Sequence, residues 1–327
     1  MAFTYQHLGI IAAEQRDFAT AEEWYKKSLE INEKRGDTYG AVMIYIELGK
    51  IAEEQRDFAT AEEWYKKSLA IYEKKGARHR MAVICNKIGN IAQKQRDFSV
   101  AENWYKKALT IADEQTASIA CYELGNIAQN KHDFVMAEGW YKKALAIIEK
   151  LGNVAAVSRI YYELGKVAQK QHDFTAEKNW YKKAQAISEQ HGDILCLDAA
   201  YHELGRIAKE QGSLAEAEDW YNKSLAIAKK KKDAHNAASN CYELGRIAEK
   251  QHNFLRAADF YLESLRALAG ENDPYNLAIV IQSYANLLHK TTGKERSHLR
   301  NLWSMYMPPE LTEFLKKAEE KLNDAEC

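Results

Sequence analysis

A repeating register governs this 327-residue chain and restricts it to folds built from stacked copies of one small unit. Residues 11–30 (IAAEQRDFATAEEWYKKSLE) and 51–70 (IAEEQRDFATAEEWYKKSLA) agree at 18 of 20 positions. A Leu-Gly or Ile-Gly pair begins at Leu8, Leu48, Ile88, Leu124, Leu164, Leu204 and Leu244, at intervals of 40, 40, 36, 40, 40 and 40. Sixteen residues beyond each leading position stands Trp24, Trp64, Trp104, Trp140, Trp180, Trp220 and finally Phe260, always followed by Tyr. Units repeated in this way bury their apolar faces against their neighbours, so chain length alone does not demand two globular domains.

Each unit reads as two helices. In the second unit Ile44, Leu48, Ile51 and Ala52 form a helical stripe. Asp57 then caps a second helix bearing Ala61, Trp64, Tyr65, Ser68, Leu69 and Tyr72. Asp17, Asp97, Asp133, Asp173, Ser213 and Asn253 stand at the equivalent cap. Gly36, Gly76, Gly152 and Gly192 mark the ends of second helices, where glycine permits a left-handed stop. Gly49 sits mid-helix at a cost of about 1 kcal/mol against Ala. Its recurrence predicts that another helix backbone passes close by, with Ala61 and Ser68 admitting the same approach.

These residues resemble the tetratricopeptide repeat, in the second unit through Tyr45, Leu48, Gly49, Ala52, Ala61, Tyr65 and Ser68. The resemblance implies an all-α fold, a right-handed α-solenoid of helical hairpins. Seven clear units fill 1–270, a degenerate eighth 271–306 and a C-terminal capping helix 307–327. The proline that usually closes the motif is absent, and Glu73 stands near its place. The second helix therefore gains about one turn over the ordinary repeat of roughly 34 residues. Units this long look like those of kinesin light chain, spindle-polarity adaptors and bacterial peptide-sensing regulators. They also resemble the arrays attached to bacterial signalling ATPases.

Departures from the pattern carry their own expectations. Glu177 replaces the small residue of the fifth unit, which predicts a locally loosened hairpin. The interval of 36 from Ile88 to Leu124 predicts a tighter junction near residues 112–118. In the eighth unit Tyr284, Ala285, Ser297 and Ser304 keep their places while Arg300 replaces the tryptophan. Pro308-Pro309 stops that unit, and Glu310 to Leu322 reads as the amphipathic cap. At the other end the first helix starts almost at Met1, later in register than its counterpart near Asp37, and has no cap. The expectation is a C-terminal part of a longer protein.

Lys plus Arg number 46 and Asp plus Glu 47, a balance that argues against general affinity for nucleic acid or anionic membrane. No apolar run approaches the ~20 residues needed to cross a bilayer. Cys85, Cys121, Cys196, Cys241 and Cys327 are odd in number without close pairing, as in reduced cytoplasmic proteins. No phosphate-binding loop, nucleophile elbow or metal-ligand spacing occurs, so neither catalysis nor a cofactor or metal is expected. His132-Asp133 and His172-Asp173 invite an acid–base reading. Arg16, Arg56 and Arg96 fill the same turn position, which favours a structural one. Cys85, Cys121 and Cys241 share a register with Tyr5, Tyr45, Tyr161 and Tyr201 and should face the core, as the tryptophan stripe should pack. Lys229 to Lys232 fits a helix C-terminus facing solvent.

The resemblance implies that a partner binds on a concave face lined by the first helices. Two positions, two residues before each Leu-Gly pair and two after its leading residue, lie one helical turn apart on that face. They give the candidate set Asn86, Asn90, Tyr122, Asn126, Tyr162, Lys166, His202, Arg206, Tyr242 and Arg246. Asparagine amides donate and accept at once, which suits an extended peptide backbone. Tyrosines beside Lys166, Arg206 and Arg246 suit an acidic or aromatic-bearing partner. Against this, Glu163, Glu203 and Glu243 each stand three residues earlier and are able to neutralise those cations. The leading function is thus a protein-interaction scaffold or sensor binding a protein or peptide. A ligand-sensing regulatory segment of a larger signalling or defence enzyme is one alternative. Self-association through the uncapped first unit is another.

Overall fold

The computed structural model describes residues 1–271 and 273–324, without the side chains of residues 155 and 324. The described residues are helical, with no strand among them. The first eight helices are α1 Ala2–Glu14, α2 Phe18–Lys34, α3 Thr38–Glu54, α4 Phe58–Lys74, α5 Arg78–Lys94, α6 Phe98–Ile111, α7 Glu114–Asn130 and α8 Phe134–Leu151. Next come α9 Val154–Lys170, α10 Phe174–His191, α11 Ile194–Glu210, α12 Leu214–Lys231, α13 Ala234–Lys250 and α14 Phe254–Leu268. The chain ends with α15 Pro274–Lys290, α16 Gly293–Tyr306 and α17 Pro309–Asp324.

Two compact units divide within α9, one Met1–Ile160 and the other Tyr161–Cys327. In the first, α1 to α8 form four hairpins in chain order, each second helix packing on its own first helix and, from α2 to α6, on the next one too. In the second, α10 to α15 pack successively in the same way. There α17 lies on α15 and buries Leu311, Leu315 and Ala318. The fifth cysteine, Cys327, falls outside the described residues.

The turn inside each hairpin uses one residue twice. Asp57 donates its N–H to the Ala52 carbonyl at 2.8 Å, closing α3, while its carboxylate accepts from the Thr60 N–H at 3.1 Å, opening α4. Arg56 before it takes the left-handed conformation at φ 62°. The same geometry recurs with Arg16, Arg96, His132, His172 and His252. These histidines are therefore turn residues, and His132 and His252 lie against Phe134 and Phe254 at 6.0 Å between ring centroids. Ser213 departs from expectation: it occupies the cap position of α12 but makes no capping hydrogen bond with its side chain.

The Leu-Gly glycines need correction as well. Space at Gly49 is required by a side chain, the Tyr65 ring of the following helix, whose Cε1 would lie 2.6 Å from an added Cβ. Gly9, Gly89, Gly125, Gly165, Gly205 and Gly245 face their own tyrosines in the same manner. Those tyrosines, from Tyr25 to Tyr261, are at most 1% exposed and form the spine of each hairpin.

The short interval comes out of α6, which has 14 residues where α4 has 17. Only Ala112 and Asp113 separate it from α7, and α7 packs directly against α5 as well as α6. In the eighth unit the tryptophan is displaced three positions from Arg300, with Trp303 buried and 4.9 Å from the Tyr284 ring. Arg300 instead pairs with Glu319 of α17 at 2.7 Å.

Second helices end left-handed at Gly152 (φ 67°) and Gly192 (φ 72°), and Lys232 adopts the same conformation (φ 56°) forty residues later. An L-residue there costs roughly 1–2 kcal/mol, offset in part by the greater unfolded freedom of glycine. Lys232→Gly is accordingly expected to stabilise the second unit by roughly 0.5–1 kcal/mol, read as a raised midpoint in chemical denaturation. The neighbouring lysines are engaged, Lys229 with Glu263 at 2.5 Å and Lys231 with Asp198 at 3.5 Å.

Candidate partner-binding face

The earlier of the two candidate rows backs onto the tyrosine spine. Ring centroids are 5.7 Å apart for Tyr122–Tyr141, 5.4 Å for Tyr162–Tyr181, 5.3 Å for His202–Tyr221 and 5.8 Å for Tyr242–Tyr261. Each ring of this row is half-buried, one face fixed by its neighbour. Burial raises Tyr162 far above the ordinary phenol range, with Glu203 adding to the effect, so it stays a neutral hydroxyl.

The later row behaves differently in the two units. In the first, the Asn90 Oδ1 accepts from the Tyr105 hydroxyl, and the Asn126 Oδ1 accepts from the Tyr141 hydroxyl at 2.6 Å. The Asn126 amide nitrogen donates to Glu123 at 3.0 Å. In the second unit Lys166 lies 2.9 Å from Glu163, and Arg246 lies 3.9 Å from Glu243. Both cations also approach the ring of the earlier row on their own helix, Tyr162 and Tyr242.

Two candidates tie helices together, Asn86 buried and Arg206 half-buried. Asn86 is 5% exposed and donates its amide to the Thr116 carbonyl at 3.2 Å, a tie made possible where the shortened α6 brings α7 onto α5. Arg206 is held by Glu177, by Glu203 at 2.7 Å and by Glu210 at 3.0 Å. Glu177 is fully buried in the small-residue register. Instead of loosening the fifth hairpin it joins α10 to α11 through this ion pair, while Tyr181 and Ala184 beside it remain fully buried. A further group escaped the sequence reading. Asp198, Ser224, Asn236 and Asn240 connect α11, α12 and α13 through hydrogen bonds. Its signal in the sequence is Asp198 and Asn240 in registers that the neighbouring units fill with Ala238 and Ala200.

The remaining polar chemistry is structural. Burial pushes the Cys85 thiol up to about 11 and the Cys241 thiol to about 12, so neither is a ready thiolate. Tyr5, Tyr45, Tyr161 and Tyr201 stack on Trp24, Trp64, Trp180 and Trp220 at 5.4–5.6 Å, with a lysine over each tryptophan. Among the described residues no group of three His, Cys, Asp or Glu is placed to hold a metal. No described helix is long and apolar enough to cross a membrane.

Comparison with known proteins gives the same architecture. No curated protein matches the sequence closely enough to count as a relative. Solved structures similar to the chain include BtubC (BKLC) from P. vanneervenii, 18% identical over 67% of this chain and 92% of that one, with a TM-score of 0.58. The apo form of RapI is 12% identical over 81% and 97%, at 0.61. A signal transduction ATPase with numerous domains and a tetratricopeptide repeat sensor, from Pyrococcus horikoshii, is 14% identical over 93% of this chain and 52% of that one, also at 0.61. Identities this low speak for fold alone. The family model for the tetratricopeptide repeat matches residues 1–74, 40–114, 115–190 and 197–269, a repeat rather than a catalytic domain. On these matches and the seven registered hairpins, the chain belongs to the tetratricopeptide repeat family.

Proposed function

We propose that the chain is a protein-interaction scaffold or sensor module that holds a peptide or protein segment on its first-helix faces. The observation that carries this reading is Asn90, whose Oδ1 is fixed by the Tyr105 hydroxyl while its amide nitrogen has no protein partner among the described residues. A held amide with an unspent donor is prepared to receive a backbone carbonyl. Tyr122 and Asn126 complete the proposed contact set of the first unit, and Tyr162, Lys166, His202, Tyr242 and Arg246 form that of the second, whereas Asn86 and Arg206 hold the helices together. An acidic partner loses its basis, because Lys166, Arg206 and Arg246 each find a glutamate on their own helix. The tyrosine rings still favour apolar or aromatic side chains. A sensor role, the one named for the repeats of the Pyrococcus protein, would use the same faces.

Asn90→Asp tests the reading, since it keeps an oxygen that accepts from Tyr105 and exchanges the free donor for a negatively charged acceptor, which repels a backbone carbonyl. With a partner isolated from native extract, the variant is expected to bind about ten-fold more weakly with little change in melting temperature. Hydrogen exchange of the complex should protect α5, α7, α9, α11 and α13. Protection confined to second helices, with unchanged affinity, overturns the proposal.

One observation favours self-association as a second reading. In α1, Phe3 is 72% and Ile11 51% exposed, although Ile51, the counterpart of Ile11 in α3, is 5% exposed beneath its neighbours. A strictly monomeric sample in concentrated light scattering would remove that reading.

A further inference from the structure

We propose that the cavity among α11, α12 and α13 seats the cationic side chain of a bound segment, a lysine or arginine. This rests on the first-helix reading and adds to it the charge of the occupant.

The cavity measures about 440 Å³ and opens beside Tyr162 and His202, both on the proposed face. Two residues of its floor are exceptions to the repeat. Asp198 stands where the neighbouring units have Ser158 and Ala238, and Asn240 where they have Ile160 and Ala200, while Ser224 keeps the small residue that Ser28, Ser68 and Ser264 supply elsewhere. Asp198 is 4% exposed and Asn240 1% exposed. Withdrawing a carboxylate from water costs several kcal/mol before its partners offset it, so a buried aspartate in a register that Ala, Val or Ser fills elsewhere calls for a use.

Hydrogen-bond accounting gives the sign of the missing group. Ser224 donates to Asp198 Oδ1 at 2.7 Å, and the Asn240 amide donates to Ser224 at 2.8 Å and to the Asn236 carbonyl at 2.9 Å. The Asn236 amide donates to Asp233 at 2.9 Å, and at 3.4 Å to Asp198. His202 Nδ1 lies 3.1 Å from Asn240 Oδ1; donating there leaves Nε2 as an acceptor. The floor's donors are thus turned into the protein, and the unspent capacity is for accepting. Among the described residues Asp198 Oδ2 has only the long contacts with Asn236 at 3.4 Å and Lys231 at 3.5 Å. The wall holds Asp198, Glu203 and Asp233 with Lys231, His202 and His235; Glu203 is taken by Arg206, so Asp198 and Asp233 share the one lysine, at 3.5 and 3.6 Å. An ammonium or guanidinium group, rich in donors and positive, complements this wall, and Tyr162 offers apolar cover for its alkyl stem.

The test uses four acetylated, amidated pentapeptides, Ser-Gly-Xaa-Gly-Ser with Lys, Arg, Gln or Glu at the centre. The ¹⁵N-labelled full chain is titrated with each while the signals of His202 and Asn240 are followed. The Lys and Arg peptides are expected to bind about ten-fold tighter than the Gln and Glu peptides, the effect of one charge-assisted contact. Asp198→Asn should erase that preference. Ser239→Arg places a guanidinium in the cavity from within and should block the Lys peptide, a second variant that serves if Asp198→Asn does not fold. Tighter binding of the Glu peptide, a preference that survives Asp198→Asn, or no binding by any peptide at millimolar concentration overturns the cation seat. Equal binding of all four, weakened alike by Tyr242→Ala, overturns the seat but leaves the first-helix reading in place. Exchange mapping of the captured partner decides that reading separately.

Discussion

Arg206→Met is expected to destabilise the second unit by about 3–5 kcal/mol, the cost of leaving a buried charge without its partner. Glu177 has no exposed surface, and its register holds Ala21, Ala61, Ala101, Ala137, Ala217 and Ala257 in the other hairpins. One carboxylate oxygen meets Arg206; the other, Oε2, is buried with no partner among the described residues. Burial raises the Glu177 carboxyl above the ordinary range, and Arg206 holds it only partly down. Methionine keeps the aliphatic stem of Arg206 and removes only the charge and the donors. If the loss comes from the stranded carboxylate, Glu177→Ala in the same background should recover most of it, restoring the residue that six other hairpins use. Equal losses in the single and double variants would show that Arg206 matters for its bonds to Glu203 and Glu210 instead.

The same pair sets a pH dependence with a definite sign. A carboxyl whose folded pKa is raised contributes stability that is fully present below its unfolded pKa and is lost as pH rises through the folded one. Glu177→Gln, which is neutral throughout, should therefore be more stable than the parent at neutral pH. The advantage should shrink as pH falls through the raised Glu177 value. Comparing the two proteins isolates this group from carboxylates such as Glu102 and Asp113, which are lowered by their partners and act in the opposite direction.

Repetition explains what was legible in the sequence and what was not. The Asp57 cap, the Leu48-Gly49 pair and the buried Tyr65 are local steric and hydrogen-bonding demands. They recur through the seven hairpins of residues 1–270, with the capping bond missing at Ser213, so hairpins and register follow from spacing. What Gly49 faces did not follow, because a glycine reports close approach without naming the atom that approaches. Asn86 is buried rather than presented to a partner for a geometric reason. Four residues lost before α7 bring that helix onto α5, and the side chain that would have faced outward becomes an interior tie. Arg206 was misread because its decisive partner, Glu177, lies 29 residues away on another helix. Asp198 and Asn240 look like scattered substitutions along the chain, and Ser224 like an ordinary small residue of its register. They become one floor only when three helices are side by side.

Gly125→Ala and Gly139→Ala, two identical changes in one hairpin, are expected to have opposite effects. A Cβ on Gly125 would lie 2.5 Å from Tyr141 Cε1 and 2.6 Å from Cδ1. Tyr141 has no exposed surface, and its hydroxyl lies 2.6 Å from Asn126 Oδ1, to which it donates, and 3.1 Å from Gln129 Oε1, so the ring is held by burial and at its hydroxyl end. Overpacking of this kind costs about 1–3 kcal/mol, which exceeds the ~1 kcal/mol by which alanine is the better helix former. Gly139 lies on the exposed side of α8, and nothing comes within 4 Å of its added Cβ. There the helix preference acts alone, and Gly139→Ala should stabilise the first unit by up to about 1 kcal/mol. Urea denaturation followed by tryptophan fluorescence measures both. Combining Gly125→Ala with Tyr141→Leu, which vacates the ring, should cost less than the two single changes together, because neighbours competing for one volume are not additive. A stabilising Gly125→Ala would mean that the tyrosine spine yields, and the seven Leu-Gly pairs would then need a cause other than the rings they face.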